Sequence, residues 1–204
     1  MVPNKPVRIL FLLLLISFFV WWGLVPALTR MDTDFPNYYT GGRIILDGGD
    51  LTRLYDDSWF QANMAALGIR QEGKFSPFPP PTALLFVPLS LMKPETALSL
   101  MTAINLMFLI TGVILMSRIS GKNNIDAGII LLLSGTGLSN CVRFGQLYII
   151  LSVLTLAGYY LYTRHRPVSA GVLLGLLIPV KYFPIVYVTY FSTRKRCKLT
   201  AAAV

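Results

Sequence analysis

Acidic residues are scarce in this chain and unevenly spread. Only nine of its 204 residues are aspartate or glutamate, against 18 lysines and arginines. Seven of the nine acids lie in one stretch: Asp32, Asp34, Asp47, Asp50, Asp56, Asp57 and Glu72. The rest of the chain is mainly apolar or basic, so carboxylate chemistry is expected in this stretch.

Charge of either sign is sparse as well. Charged residues make up 13% of the chain and hydrophobic residues 54%, whereas a soluble domain has about a quarter charged residues. The composition therefore indicates an integral membrane protein. The net charge of +9 does not indicate a nucleic-acid partner, because the basic residues lie in short groups at the ends of apolar runs, as topology determinants do.

Several patterns that would carry other chemistry are missing. The two cysteines, Cys141 and Cys197, and the single histidine, His165, form no cluster with metal-ligand spacing. There is no glycine-rich phosphate loop and no Gly-x-Ser-x-Gly nucleophile elbow. We therefore expect no bound metal and no cofactor, and no disulfide between two cysteines that the predicted topology separates.

Long apolar runs predict an all-α membrane domain built as a multi-span helix bundle. Residues 9–28 and 95–117 each have about the 20 residues that a bilayer-spanning helix needs, although the first run also has features of a cleavable signal peptide. The other segments are an external loop with short helices and a re-entrant helix (29–93), a helical hairpin (126–163) and a broken helix pair (168–193). The last segment has room for one full span or two half-spans, and we favour two half-spans.

Within the external loop, Asp34 followed by Pro36 predicts a helix start, with Asp34 as the N-cap. That helix is expected to end at Gly48-Gly49, a C-cap pattern. A second helix is expected from Asp56 or Asp57 to about Gly68. Its apolar side is explained by packing or by contact with the membrane surface.

Four basic groups set the predicted orientation: Lys5 with Arg8, Arg118 with Lys122, Arg164 with Arg166, and residues 194–198. All four are expected on the cytoplasmic side of the plasma (inner) membrane. The N-terminus is then cytoplasmic and the first loop external. This topology brings three polar breaks to one face: the acidic loop, residues 143–146 and Lys181.

These breaks supply the candidate site. Arg143 and Lys181 are cations near membrane depth, where a charge indicates a functional site or an ion pair, although either side chain could instead reach the interface. Two cations facing carboxylates suit a lipid-linked phosphate, since cations stabilise a phosphate leaving group and a carboxylate accepts a proton from an attacking hydroxyl. Asp34 is the first candidate for the base and Asp32 the second. Helix capping alone would also explain Asp34.

Several short motifs resemble glycosyltransferase family 87, which are C-type membrane mannosyltransferases that use a polyprenyl-phosphate sugar. They are Asp34-Phe35 with Tyr38-Tyr39 and Gly42, Gly48 with Leu54-Tyr55-Asp56, the segment 78–89 with its Pro79-Pro80-Pro81, Gly145-Gln146, and Lys181 with Pro184. They occur in the order of the family and extend from about residue 32 to residue 184. One position departs from the family pattern: two residues after the Gly-Gln the family usually has Asn, and this chain has Tyr148.

The resemblance implies a C-type fold and transfer of a hexose, as in mannosyl transfer, from the polyprenyl phosphate to a hydroxyl of a glycolipid or glycan acceptor, with inversion. The catalytic acid of the first external loop maps to Asp34. From the charge argument above, Lys181 and Arg143 are the expected contacts of the donor phosphate, and Tyr38, Tyr39 and Gln146 are the expected substrate contacts. Family members are about twice as long, so a truncated chain or a second polypeptide that supplies further helices is expected. A non-catalytic membrane protein and a small transporter are the alternative functions.

Overall fold

The computed structural model describes residues 4–194 and 196–203, and within those residues the fold contains helices and turns but no strand. The all-α prediction is confirmed. The α-helices are α1 Lys5–Phe19, α2 Val25–Thr29, α3 Asp34–Leu46, α4 Asp57–Ala66, α5 Pro80–Phe86, α6 Pro94–Ser120, α7 Asn124–Leu132, α8 Thr136–Arg143, α9 Tyr148–Thr163, α10 Pro167–Leu177, α11 Ile185–Thr193 and α12 Cys197–Ala203.

Within the described residues, two helical stretches are long and apolar enough to cross a membrane, and the bent pair of α7 and α8 would be a third if it counts as one span. The first lies in Lys5–Leu46, where α1 continues through a π-helical turn, Val20–Leu24, into α2. The second is α6, which has 27 residues and is followed by a C-cap, Gly121, in the left-handed conformation. Leucines of α1 such as Leu10 and Leu14 are exposed on the surface of the protein, as expected for side chains that face lipid.

The loop between these spans folds into short helices that share one core with α6, α9 and α10. α3 ends in a Schellman motif, since the amides of Gly48 and Gly49 bond to the carbonyls of Ile45 and Ile44. α4 begins after Asp56, whose carboxylate accepts a hydrogen bond from the Trp59 amide. Both predicted boundaries are confirmed. The apolar side of α4 packs inward, because its largest buried side chains join the core: Phe60 and Met64 with Phe35, Tyr38, Phe75 and Phe86.

The proline-rich segment runs into a helix. Pro80 and Pro81 occupy the first turn of α5, where a missing amide proton costs nothing because that amide has no partner inside the helix. The apolar stretch after them is not one re-entrant helix. α5 ends at Phe86, and a separate 3₁₀ turn, Leu89–Leu91, follows Pro88.

The outgoing arm of the predicted hairpin is also not one straight helix. α7 and α8 form an angle of 82° across a short break, and Gly135 in that break has φ +58°. Glycine adopts this conformation without steric cost. The bend turns α8 so that its C-terminal end reaches the start of α3.

The C-terminal segment is broken at residues 178–184, between α10 and α11. The sequence predicts residues 194–198 only as a basic group, and the structure adds a helix to this end of the chain. This helix, α12, packs closely on α10: a Cβ atom on Gly171 would collide with the Leu199 carbonyl oxygen, and one on Gly175 with that of Ala203. Small residues allow this backbone contact, and a glycine pair four residues apart is its sequence signal.

The four basic groups converge at one end of the bundle, which we call the basic end. Arg8 of α1 donates to both carboxylate oxygens of Asp126 near the start of α7, at 2.9 Å each. Arg118 approaches the Tyr160 hydroxyl of α9, and the Arg196 guanidinium lies 5.9 Å from the centroid of the Tyr162 ring. The side of the membrane that this end faces stays a prediction.

Candidate functional site

The start of α3 places Asp34, and it does so differently from the N-cap prediction. Asp34 is the first residue of the helix, the N-cap is Thr33, and no side chain caps the helix. The cap prediction is wrong because the Asp34 carboxylate bonds across the structure to Gln146 instead. Its position in the first turn still lets the helix dipole stabilise a negative charge there.

The Gly145-Gln146 turn faces Asp34 from the other side. The amides of Gly145 and Gln146 bond to the carbonyls of Val142 and Cys141, at 3.1 and 2.8 Å, which is a Schellman motif that ends α8. Gly145 has φ +60°, and a Cβ atom there would lie 2.7 Å from the Cβ of Phe35. Glycine is therefore required at position 145 for two reasons: the backbone is left-handed there, and a larger residue would collide with Phe35.

Backbone and side-chain bonds join this turn to its neighbours. The Phe35 amide donates to the Phe144 carbonyl at 3.0 Å, so the first turn of α3 is bonded to the last turn of α8. The side-chain amide of Gln146 donates to Asp34 Oδ2. From α6, Asn105 Nδ2 donates to the Gln146 carbonyl at 3.1 Å. Thus α3, the Gly145-Gln146 turn and α6, which lie tens of residues apart in the sequence, together hold the Asp34 carboxylate in place.

Asp32 and Arg143 are brought together as an ion pair. Arg143 Nε donates to Asp32 Oδ2 at 3.0 Å, and both side chains are about one quarter exposed. Arg30 lies further from the same oxygen, at 3.8 Å. The ion pair explains why a cation is tolerated at position 143. Asp32 is therefore paired with a positive charge, whereas the partner of Asp34 is the neutral side chain of Gln146.

Lys181 lies in the break between α10 and α11, against two aromatic rings. Its ammonium nitrogen is 4.6 Å from the centroid of the Phe78 ring and 5.1 Å from that of Tyr148, which are cation–π distances. Thr82 of α5 donates to the Val180 carbonyl at 2.9 Å in a buried position. This bond fixes the break next to Lys181. Among the described residues, no carboxylate forms an ion pair with Lys181.

Tyr38 connects Lys181 to the carboxylate side. The Tyr38 and Phe78 rings are 4.6 Å apart, and both Asp34 and Tyr148 act electrostatically on the Tyr38 hydroxyl. That hydroxyl is buried and has no hydrogen-bond partner among the described residues. Tyr39 is also buried, but its hydroxyl donates to the Met92 carbonyl at 2.7 Å. A substrate contact by either tyrosine stays a prediction.

Comparison with models of known protein families identifies the family of this chain. The model of glycosyltransferase family 87 matches residues 77–204, more than half of the chain. The chain belongs to glycosyltransferase family 87. It is therefore a membrane glycosyltransferase. Searches of curated proteins and of solved structures give no match, and no finding supports a second polypeptide.

The region that matches family 87 contains the proline segment, the Gly-Gln turn and Lys181, but it begins after Asp32 and Asp34. The structure links the two parts, since Gln146 and Arg143 inside the matched region contact Asp34 and Asp32 outside it. At the position where the family usually has Asn, Tyr148 supplies one of the two rings that hold Lys181.

Sequence reasoning missed Asn105 and the Asp32–Arg143 pair. A fully buried asparagine in the middle of an apolar run of α6 is itself a signal, because an intramembrane polar side chain is costly unless it is used. The ion pair had no such signal, because its partners are 111 residues apart. Within residues 4–194 and 196–203, no group of three or more His, Cys, Asp or Glu side chains could hold a metal ion.

Proposed function

We propose that this family 87 member transfers a hexose, in particular mannose, from a polyprenyl phosphate to a hydroxyl of a glycolipid or glycan acceptor, at the external face of the plasma membrane. The observation that carries the proposal is the contact between Gln146 and the Asp34 carboxylate at the first turn of α3. It supplies one oriented carboxylate, which is what an inverting transfer with a single base requires.

In the proposed reaction Asp34 accepts the proton of the acceptor hydroxyl. The hydroxyl oxygen attacks the anomeric carbon from the face opposite the phosphate, and the bond from that carbon to the phosphate oxygen breaks. The anomeric configuration inverts, and polyprenyl phosphate leaves with the electron pair. Gln146 orients Asp34 through its side-chain amide without competing for the proton.

Lys181 is the proposed cation for the departing phosphate. It has aromatic neighbours and no carboxylate in an ion pair among the described residues, so its charge is available to a phosphate. Arg143 is the second proposed phosphate contact, and its ion pair with Asp32 must break before it binds the phosphate of the sugar donor. Tyr38 is a proposed substrate contact because its hydroxyl has no hydrogen-bond partner in the part of the chain that the structure describes. Tyr39 is a second one, although its hydroxyl already donates to the Met92 carbonyl.

The test uses membranes that contain this chain and a radiolabelled polyprenyl-phosphate mannose donor, with released or transferred sugar as the readout. Asp34→Asn is expected to lower turnover by about 10²- to 10⁴-fold, the usual range for loss of a general base. Asp57→Asn is the matched control, since Asp57 is the first residue of α4 as Asp34 is of α3. Equal turnover in Asp34→Asn and wild-type protein would contradict the assignment of the base.

A further inference from the structure

The basic end of the bundle carries positive charge that the chain itself does not balance. No Asp or Glu follows Asp126 in the sequence. Among the residues that the structure describes, five cations lie at this end after that point: Arg164, Arg166, Arg194, Arg196 and Lys198. Within the part of the chain that the structure describes, none of the five forms an ion pair with a carboxylate. An anion from outside the chain is the natural partner of such a group.

Part of this charge surrounds a cavity. A cavity of about 630 Å³ lies where the turn between α9 and α10 meets the start of α12. Arg196, Lys198 and His165 contribute nitrogen-bearing side chains to its wall, and Tyr162, Pro167 and Leu199 contribute apolar surface. Arg196 lies beside the Tyr162 ring, which limits the positions of its guanidinium. The preference of cations for one side of a membrane explains charge at this end but not a cavity.

We propose that this cavity binds a phosphate group, and that an anionic phospholipid supplies it. Arginine and lysine are the side chains that bind phosphate through charge-assisted hydrogen bonds, and basic recesses between membrane helices bind anionic head groups. The volume is in the usual range of small-molecule sites, about 300–1,000 Å³. The apolar wall would contact the glycerol and the first acyl carbons of a lipid, which a free phosphate ion lacks.

This site is separate from the proposed transfer site, because its residues lie at the end of the bundle that holds Arg118 and not at the end that holds Asp34. Its occupancy is therefore measured without any glycosyl transfer. The two proposals fail independently: loss of lipid binding leaves the role of Asp34 unaffected, and an inactive enzyme still reports on the lipid site.

The experiment is a native mass spectrometry titration of the purified full chain in detergent with phosphatidylglycerol, with phosphatidylcholine as the neutral competitor. The variant Arg196→Gln with Lys198→Gln removes two cations of the cavity. The matched control, Arg118→Gln with Lys122→Gln, removes the same charge from the same end but outside the cavity. Thermal unfolding of both variants without lipid verifies their folding.

The expected result is preferential binding of one phosphatidylglycerol that weakens on the order of tenfold in the cavity variant and stays unchanged in the control. A parallel titration with inorganic phosphate identifies the source. Binding of inorganic phosphate that depends on the cavity, without lipid binding, would support the phosphate site and replace the lipid with a free anion. Equal weakening in both variants, or in neither, would overturn the proposal.

Discussion

The two ends of the bundle hold their charges in different ways. At the end with Asp34, polar groups find partners from distant parts of the chain, as Asp32 does with Arg143 and Asp34 with Gln146. At the basic end, Arg8 has Asp126, but the cations after residue 160 have no carboxylate among the described residues. The first end therefore holds its aspartates with partners from within the chain, whereas the described cations of the second end that follow residue 160 are left without a carboxylate partner.

The largest effect is expected from Gly145→Ala, which tests whether the first end is held by the α3–α8 contact. The new Cβ would meet Phe35 at 2.7 Å in a left-handed backbone, so the variant should lose about 2–4 kcal/mol of unfolding free energy and most of its transferase activity. Gly121→Ala is the control, since Gly121 has φ +69° but open space around it, and it should lose about 1 kcal/mol. Equal losses would show that the Phe35 contact is not used.

A smaller effect is expected from Gln146→Leu, which removes the donor to Asp34 but keeps the side-chain size. Loss of a hydrogen bond to a charged group costs about 1.5–3 kcal/mol of folding stability, so the variant should unfold more easily. Because the Asp34 carboxylate is then no longer held in place, turnover of the folded protein should also fall by about ten- to a hundredfold. The measurement is initial rate in the donor assay. Gln61→Leu, which alters an amide of α4 that bonds within the loop, should keep its activity, and an unchanged rate in Gln146→Leu would contradict the positioning role.

The Asp32–Arg143 pair should contribute a modest coupling energy. A double-mutant cycle with Asp32→Asn and Arg143→Gln should give about 1 kcal/mol in equilibrium unfolding, because the pair is partly exposed. The same cycle with Arg30→Gln should give less, since that guanidinium is 3.8 Å from the shared oxygen. A coupling energy of zero between Asp32 and Arg143 would mean that this ion pair does not stabilise the end with Asp34, and that the two ends do not differ in how they hold their charges.

The smallest effect concerns Asp56. Hydrogen bonds from Arg53, Ser58 and the Trp59 amide hold the pKa of its carboxyl far below the ordinary value. A carboxyl with a lowered folded-state pKa adds stability above its unfolded pKa, near 3.9, and the contribution is lost as the pH falls through the folded value. Asp56→Asn should therefore unfold at a lower temperature than wild type at pH 7, and the gap should narrow as the pH falls below about 4. A gap that does not depend on pH would count against the ionised cap.

Local signals predicted the fold well where a neighbouring residue decides the structure. Gly48 ends α3 and Asp56 begins α4 because capping depends on residues within one turn. The length of α6 followed from its apolar run. The 82° bend between α7 and α8 and the helix α12 were not predicted. The bend depends on the packing of α8 against the π-helical turn Val20–Leu24, where Gly23 lies against Ser139, and α12 depends on the glycines of α10.

Short motifs nominate residues for the candidate site, but they do not predict which of them contact one another. Asp34, Gln146 and Lys181 were chosen from short motifs, and the structure joins Asp34 to Gln146. Arg143 pairs with Asp32 across 111 residues of sequence, and Asn105 bonds to Gln146 across 41 residues. One chain without an alignment carries no signal for contacts at such separations.

The bond between Asn105 and Gln146 also sets a depth in the bilayer. A helix rises about 1.5 Å per residue, so Asn105 lies about 20 Å along α6 from Arg118. With Arg118 at one boundary of a hydrocarbon layer about 30 Å thick, the Gln146 carbonyl lies about 10 Å below the opposite boundary. The Lys181 ammonium lies 5.1 Å from the centroid of the Tyr148 ring, two residues after Gln146. In the proposed reaction a phosphate that reaches Lys181 would therefore leave the head-group layer, and any water there would fill a recess in the protein. Electrostatic contacts in such a place are stronger than at the membrane surface because the surroundings screen them less.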